Sequence, residues 1–277
     1  MPELPEVETI AARLRKGGRN HASTPPLLGK RIISAQVFWE RTLAEPTLEK
    51  FKQKISGQLI REISRRGKFL LMDVSGETLL IHLRMSGDLL VETDDKLLST
   101  YYRMVLSFED GIRLALNDPR KFARVWLTAN PDALLSHLGP EPLAADFAPD
   151  LFYRRLVARR RQLKPLLMDQ SFLAGLGNIY TDEALHQAGL HPQRISTSLD
   201  IRDAERLWMS IRHVLKEGIR RNGASIDWVY RGGDFQNYFR VYQRNGEPCP
   251  VCDTPIQRIT VGQRGTHFCP QCQRLEE

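Results

Sequence analysis

Residues 68–83 read Lys68-Phe-Leu-Leu-Met-Asp-Val74, then Ser75-Gly76-Glu77, then Thr78-Leu-Leu-Ile-His-Leu83. Two apolar runs of strand length flank a turn triplet with Gly at its centre, the pattern of a β-hairpin. It recurs at Arg103 to Phe108, Glu109-Asp110-Gly111 and Ile112 to Leu116. Ala123 to Thr128 adds a further strand. Ile33, Ala35, Val37 and Trp39 recur at period two and predict one buried strand face. The first half is therefore β-rich. It is opened by a helix predicted over Val7 to Lys16, which stops at Gly17-Gly18.

Downstream, Pro131, Pro140, Pro142 and Pro149 mark residues 131–150 as a linker. Beyond it the period becomes helical. Leu207, Ile211, Val214, Leu215 and Ile219 share one helix face, and Asn222-Gly223 supplies the stop. The expected organisation is a β domain over 1–130, the linker, a helical domain over 151–240 and a small cysteine-bearing tail over 241–277. No internal repeat or low-complexity tract interrupts it.

The chain of 277 residues is 42% hydrophobic and 26% charged, a globular composition that excludes wholesale disorder. No apolar run approaches the ~20 residues that span a bilayer, and the N-terminus lacks a signal-peptide pattern. A membrane or secreted protein is not expected. Forty Lys and Arg against 33 Asp and Glu give a net charge of +7, which suits a polyanionic partner but does not demand one.

All four cysteines lie in the tail, as Cys249-x2-Cys252 and Cys269-x2-Cys272 separated by 16 residues. This is structural-zinc spacing, with each pair on a tight turn and room for a β-hairpin between them. Four thiolates fill a tetrahedral ion and leave no open position, so one structural Zn2+ is expected and no metal catalysis. Such a site belongs in a reducing compartment.

Arg154, Arg155, Arg159, Arg160, Arg161 and Lys164 form a run of six cations without an acid. Such a run is ordinarily a solvated helix face. Here it precedes Phe172-Leu-Ala-Gly-Leu-Gly-Asn-Ile-Tyr180, where Gly175 and Gly177 break structure, Asn178 can cap a new helix and Gly189 can end it. Two helices joined through a glycine-rich turn would aim backbone N–H groups at a phosphate. At the other end, Pro2 presents a secondary amine once Met1 is removed. An α-amino group (pKa ~7.8) is far more often neutral at pH 7 than a Lys amine (~10.4). With Glu3 beside it, Pro2 pairs a nucleophile with a proton donor.

Several segments together resemble one family. They are Met1-Pro-Glu-Leu-Pro-Glu-Val-Glu-Thr9, Arg65-Arg-Gly-Lys68-Phe-Leu-Leu71, His82-Leu-Arg-Met85-Ser-Gly87, Asp118-Pro-Arg120-Lys-Phe122, Leu138-Gly-Pro-Glu-Pro142, Gly175-Leu-Gly-Asn178-Ile-Tyr180 and Gln263-Arg264-x3-Phe268-Cys269-x2-Cys272. In this order, from residue 2 to 272, they resemble the formamidopyrimidine-DNA glycosylase / endonuclease VIII family, in its bacterial formamidopyrimidine-DNA glycosylase branch. The resemblance implies an α+β fold: an N-terminal β-sandwich domain, a helix–two-turn–helix domain and a C-terminal β-hairpin zinc finger. It implies a monomer acting on double-stranded DNA that contains a damaged base, in the bacterial cytoplasm at the nucleoid.

It also implies a bifunctional glycosylase/lyase of base excision repair. Pro2 would attack C1′ of the damaged nucleotide, Glu3 would protonate the sugar ring oxygen, and β- then δ-elimination would cut the strand on both sides. Lys68 and Arg264 would bind the flanking phosphates and assist elimination. A base stacked in a duplex must be flipped out before a protein nucleophile can reach it. Met85, Arg120 and Phe122 match the family's residues that fill the resulting void. Lys164 and Asn178, with one of Arg159 or Arg160, match its phosphate contacts. Three departures bear on lesion choice: Tyr101 stands where many members carry His, Arg84 where Gly is common, and Gly232 to Phe239 differs from the usual loop over the everted base. Leu4 favours oxidised purines, 8-oxoguanine and formamidopyrimidines, over the oxidised pyrimidines of the endonuclease VIII branch. A non-catalytic zinc-containing nucleic-acid-binding protein would have no need of Pro2, Glu3, Lys68 and Arg264 together.

Overall fold

The computed structural model describes residues 1–18, 24–93, 98–226 and 232–275. The chain divides into two compact units, 1–136 with 224–233, and 137–223 with 234–277. In order, the first carries α1 (Leu4–Lys16), β1 (Ile32–Val37), β2 (Leu43–Glu45), α2 (Leu48–Ile55), β3 (Ile60–Arg66), β4 (Phe69–Val74), β5 (Thr78–His82), β6 (Asp88–Glu92), β7 (Tyr102–Phe108), β8 (Arg113–Asn117), β9 (Arg124–Thr128) and the short α3 (Pro131–Leu135).

Its strands form two sheets, ordered β1-β7-β8-β6 and β2-β9-β5-β4-β3. Both hairpins read from the sequence are present: β4 pairs β5 with Leu70 opposite Ile81, and β7 pairs β8 with Val105 opposite Ala115. One apolar core takes residues from both sheets and both long helices, including Leu14 of α1, Phe51 of α2, Ile81 of β5 and Leu114 of β8. At ~25 cal/mol per Å2 of apolar surface, burial of these side chains dominates the unit's stability.

Two local expectations are corrected. The face predicted from Ile33, Ala35, Val37 and Trp39 forms only in part: Ala35 is buried and Val37 packs against the core. Ile32 is buried in place of Ile33, which is 49% exposed, because an irregularity in the β1–β7 register between Ile32 and Ser34 breaks the alternation. The first helix starts at Leu4, three residues before Val7, since Pro5 suits its first turn and Glu3 and Glu6 close a reciprocal capping box.

The second unit carries α4 (Pro149–Val157), α5 (Leu163–Leu167), α6 (Asn178–Ala188), α7 (Ile201–Arg220), β10 (Gln257–Val261) and β11 (Arg264–Phe268). The helix expected around Leu207 to Ile219 is α7, which packs on α4 and α6. Tyr180 of α6 lies so close to Gly218 that an added Cβ would sit 2.5 Å from its ring, so α6 and α7 meet only because residue 218 has no side chain.

The proline-rich stretch 131–150 is not a free linker. After α3, its carbonyls are claimed by the helical unit: Arg212 Nη1 donates to Pro142 and Ala144, and Trp208 Nε1 to Phe147 at 2.9 Å. Among the described residues no helix is long and apolar enough to cross a membrane.

Candidate functional site

Pro2 and Glu3 are buried, and Glu3 is the N-cap of α1. The Glu3 N–H donates to Glu6 Oε2 at 2.8 Å, while Glu6 Oε1 accepts the Ala224 N–H at 2.8 Å. A helix start concentrates unpaired N–H groups and so favours negative charge, which is where Glu3 and Glu6 sit. Helix α1 lies against β3 and β4, and Arg65 Nε reaches Glu8 Oε2 at 3.2 Å. Arg65 also donates to the carbonyl of Gly67, the positive-φ residue at the β3–β4 turn. That turn presents Lys68, which is only 6% exposed. The ion pair thus ties the helix that follows Pro2 and Glu3 to the hairpin bearing Lys68.

Met85, Tyr101 and Phe122 are 41%, 53% and 46% exposed, so none is a core side chain. Their loops share a single buried carboxylate. Asp118 Oδ1 accepts the Ser86 hydroxyl and the Arg120 N–H, and Oδ2 accepts the N–H groups of Phe122 and Ala123 at 2.6 and 2.7 Å. The Asp118 N–H donates to the Tyr101 carbonyl at 2.9 Å. Arg103 adds a second brace, donating to the carbonyls of Asp118 and Thr100.

The Met85 turn closes through the Gly87 N–H on Leu83 O, where a Cβ would sit 2.6 Å from that oxygen. Arg84, where Gly is common, adopts the left-handed backbone that Gly favours, φ 55°. The Arg120 guanidinium lies 5.0 Å over the Phe122 ring, and Lys121 Nζ 4.3 Å over Trp39. Beside this turn, burial, then Arg84 and Lys68, push His82 down to about 3, so its ring is neutral and Nδ1 accepts the Arg84 N–H. Sequence reasoning quoted Asp118 only as part of a motif and Arg103 only as the start of a strand.

The six-cation run is not one solvated helix face. It straddles the end of α4, a turn and the start of α5. Arg155 donates to the carbonyls of Ser171 and Phe172, Arg161 pairs with Asp169 at 2.7 Å, and Arg159 lies over the Phe172 ring at 5.6 Å. Arg160 is exposed.

Lys164 departs furthest from expectation. Its side chain is fully buried, pairs with equally buried Asp182 at 2.6 Å and donates to the Gly265 carbonyl at 3.0 Å. Its charge is enclosed by protein groups. Asn178 is the first residue of α6, not its cap, and its Nδ2 also donates to Gly265 O at 3.1 Å. Its Oδ1 is buried without a protein hydrogen bond. The helix ends at Gly189 in the left-handed conformation, as its sequence indicates.

Strands β10 and β11 form the hairpin expected between the cysteine pairs, with Gly262 and Gln263 both at positive φ in a two-residue turn. Arg264 begins β11 and is exposed. The Sγ atoms of Cys249, Cys252, Cys269 and Cys272 lie within 4.8 Å of one another, with separations of 3.3, 3.4 and 3.9 Å among them. A tetrahedron of Zn–S bonds of ~2.3 Å has edges of ~3.8 Å, so the donor set fits one structural zinc.

Helix α6 supports this site in a way the spacing did not reveal. His186 Nε2 lies 3.4 Å from Cys249 Sγ, and burial, then Arg240 and Arg244, push this ring down to about 4. A neutral ring carries one N–H, and the tautomer that bears it on Nε2 donates to the sulfur. Glu183 accepts the N–H groups of Arg240, Val241 and Tyr242, locking the approach to the first cysteine pair; its burial raises its pKa against those donors.

Three family models match in chain order: the formamidopyrimidine-DNA glycosylase N-terminal domain over residues 1–125, its H2TH domain over 138–229, and the zinc finger found in FPG and IleRS over 246–275. The formamidopyrimidine-DNA glycosylase of Protochlamydia amoebophila is 41% identical over 99% of this chain and 100% of its own. That of Chloroflexus aurantiacus is 44% identical over 99% and 98%. Among solved structures, MutM in complex with carbocyclic 8-oxo-G containing DNA aligns with a TM-score of 0.89 at 36% identity, covering 99% of this chain and 100% of that one. The Lactococcus lactis FPG in complex with a FAPY-dG containing DNA aligns at 0.89 and 35% identity, covering 98% and 100%. Full-length coverage by relatives of this identity, with all three modules in order, places the chain in the formamidopyrimidine-DNA glycosylase family.

Proposed function

We propose that this chain is a bifunctional DNA glycosylase and lyase that removes oxidised purines from duplex DNA. The observation that carries the reading is the start of α1, with Pro2 and Glu3 buried at a helix N-terminus that is tied through Glu8 and Arg65 to the turn bearing Lys68. Once Met1 is removed, burial and the helix N-terminus both favour the neutral Pro2 amine over the ammonium. Its nitrogen bonds to C1′ as the C1′–base bond breaks and the base leaves with the electron pair. Glu3 delivers a proton to the ring oxygen, and the sugar opens to an iminium. Loss of a proton from C2′ then expels the 3′-phosphate, and a second elimination expels the 5′-phosphate. Lys68 and Arg264 hold the flanking phosphates, with Asn178 and Arg159 as further contacts. Zinc, held by Cys249, Cys252, Cys269 and Cys272, supplies rigidity rather than chemistry.

Met85, Arg120 and Phe122 occupy the void left by the flipped nucleotide, with Tyr101 beside them. Met85→Ala or Phe122→Ala is expected to slow incision at a duplex lesion about tenfold, since the wedge offsets unstacking of a few kcal/mol. A preformed abasic site, already partly unstacked, should lose much less. Equal losses on the two substrates would show that these side chains only support the fold.

The protein works as a monomer in the bacterial cytoplasm, where thiols stay available for zinc. Duplexes carrying one defined lesion test the proposal. Cleavage on both sides of 8-oxoguanine or formamidopyrimidine is expected, with oxidised pyrimidines at least about tenfold slower. Preference for pyrimidine lesions, or a single cut, would overturn it.

A further inference from the structure

Arg264 is exposed at the start of β11, yet the residues just after it are held by a buried polar network. Lys164 Nζ and Asn178 Nδ2 both donate to the carbonyl of Gly265, at 3.0 and 3.1 Å. Asp182 Oδ2 accepts the N–H of His267 at 2.9 Å and lies 3.4 Å from its ring Nδ1. Asp182 Oδ1 takes the Lys164 ammonium at 2.6 Å, with both side chains fully buried. The Tyr242 ring packs edge-on against His267, centroids 5.2 Å apart. At the turn, an added Cβ on Gly262 would meet Pro165 at 3.1 Å, so the hairpin tip also rests on the residue following Lys164.

A buried ion pair loses its hydration on both sides and adds little net stability over an apolar pair of the same shape. What it supplies is geometry. Here the pair fixes one carbonyl and one N–H of β11, at positions 265 and 267, one and three residues beyond Arg264. Solvent around Arg264 itself offers no such restraint.

We infer that Asp182 and Lys164 are positioning residues for Arg264: their ion pair sets the register of β11 against α6 and so aims the guanidinium, and Lys164 makes no phosphate contact of its own. The inference rests on the proposal that Arg264 grips a DNA phosphate. It makes a prediction of opposite sign to the alternative. Neutralising Asp182 frees the Lys164 charge, so a phosphate-binding Lys164 would bind DNA more tightly, whereas a positioning Lys164 would let Arg264 drift and bind it less.

The test uses the full-length zinc protein and a duplex with a non-cleavable tetrahydrofuran site, with Kd measured across a salt series. Asp182→Asn keeps an acceptor for the His267 N–H and removes the charge. It should weaken binding roughly tenfold, as expected for loss of one hydrogen bond to a charged group. The slope of log K against log salt should flatten by about 0.9, one phosphate contact. In an Arg264→Ala background Asp182→Asn should change Kd less than about twofold, because residues acting through one group are not additive.

Lys164→Gln keeps a donor without the charge and should show the same dependence on Arg264. It carries the test alone if Asp182→Asn fails to retain one zinc per chain. Tighter binding or a steeper slope in Asp182→Asn would overturn the inference. So would losses from Lys164→Gln that persist in full without Arg264. If Arg264→Ala itself binds like the parent, the proposed grip fails and this inference falls with it; an Arg264 effect without coupling overturns the inference alone.

Discussion

An N-terminal extension that turns the Pro2 nitrogen into an amide is expected to reduce incision of 8-oxoguanine duplexes to the uncatalysed level. An amide lone pair is delocalised into its carbonyl and is no nucleophile, so neither the C1′ bond nor the iminium that drives elimination can form. The rest of the protein should be untouched. The capping box between Glu3 and Glu6 uses groups the extension does not alter, and the Met1 to which the extension attaches is exposed. DNA binding, carried by residues elsewhere, should stay within a few-fold of the processed protein, which separates loss of chemistry from loss of fold. Gel-resolved strand cleavage and a binding isotherm on the same preparation check both halves. Substantial incision by the extended form would remove Pro2 from the mechanism.

Removing zinc, or changing Cys269 to Ser, is the second large effect. Four thiolates can contribute on the order of 10–16 kcal/mol to folding of a small module. The apolar cluster around the zinc site holds Val241, Cys249, Ile256 and Cys269 with the other two cysteines against it, so the ligands make up most of that cluster. The sequence suggests that such a tail would melt alone and leave the helices intact. The structure changes that expectation. Glu183 depends on the N–H groups of residues 240–242 and Asp182 on that of His267, so unfolding the tail strands buried acceptors at ~1–3 kcal/mol each. The melting transition of the second unit should fall while that of the first holds. Binding should weaken and its salt slope flatten by about 0.9 as the Arg264 contact goes. Calorimetry with and without chelator, beside a salt series, reads both. Full incision by a zinc-free protein with a melted tail would mean that Arg264 does not grip DNA.

What the sequence made legible is what local pattern encodes. Phe69–Val74 and Thr78–His82 announce a hairpin through length and turn chemistry, and the cysteines announce a metal through spacing alone. What it hid depends on partners distant in the chain. Lys164 reads as one cation in a basic run, because nothing nearby shows that Asp182, 18 residues on, will bury it. Asp118 gathers main-chain N–H groups, which carry no residue identity. Residues 137–148 look like a linker by their prolines, but Arg212 and Trp208, far along α7, take up their carbonyls. Ile33 faces outward because a strand irregularity shifts the phase of β1, and period-two reasoning has no means to see one.

The central claim is that Pro2 is the nucleophile, and borohydride trapping tests it most directly. Reduction during turnover of an 8-oxoguanine duplex should fix one covalent protein–DNA complex, and peptide mapping should place the adduct on the nitrogen of Pro2. Trapping should fall sharply in Pro2→Gly. An adduct on a lysine, Lys68 included, or trapping that survives unchanged in Pro2→Gly, would contradict the account.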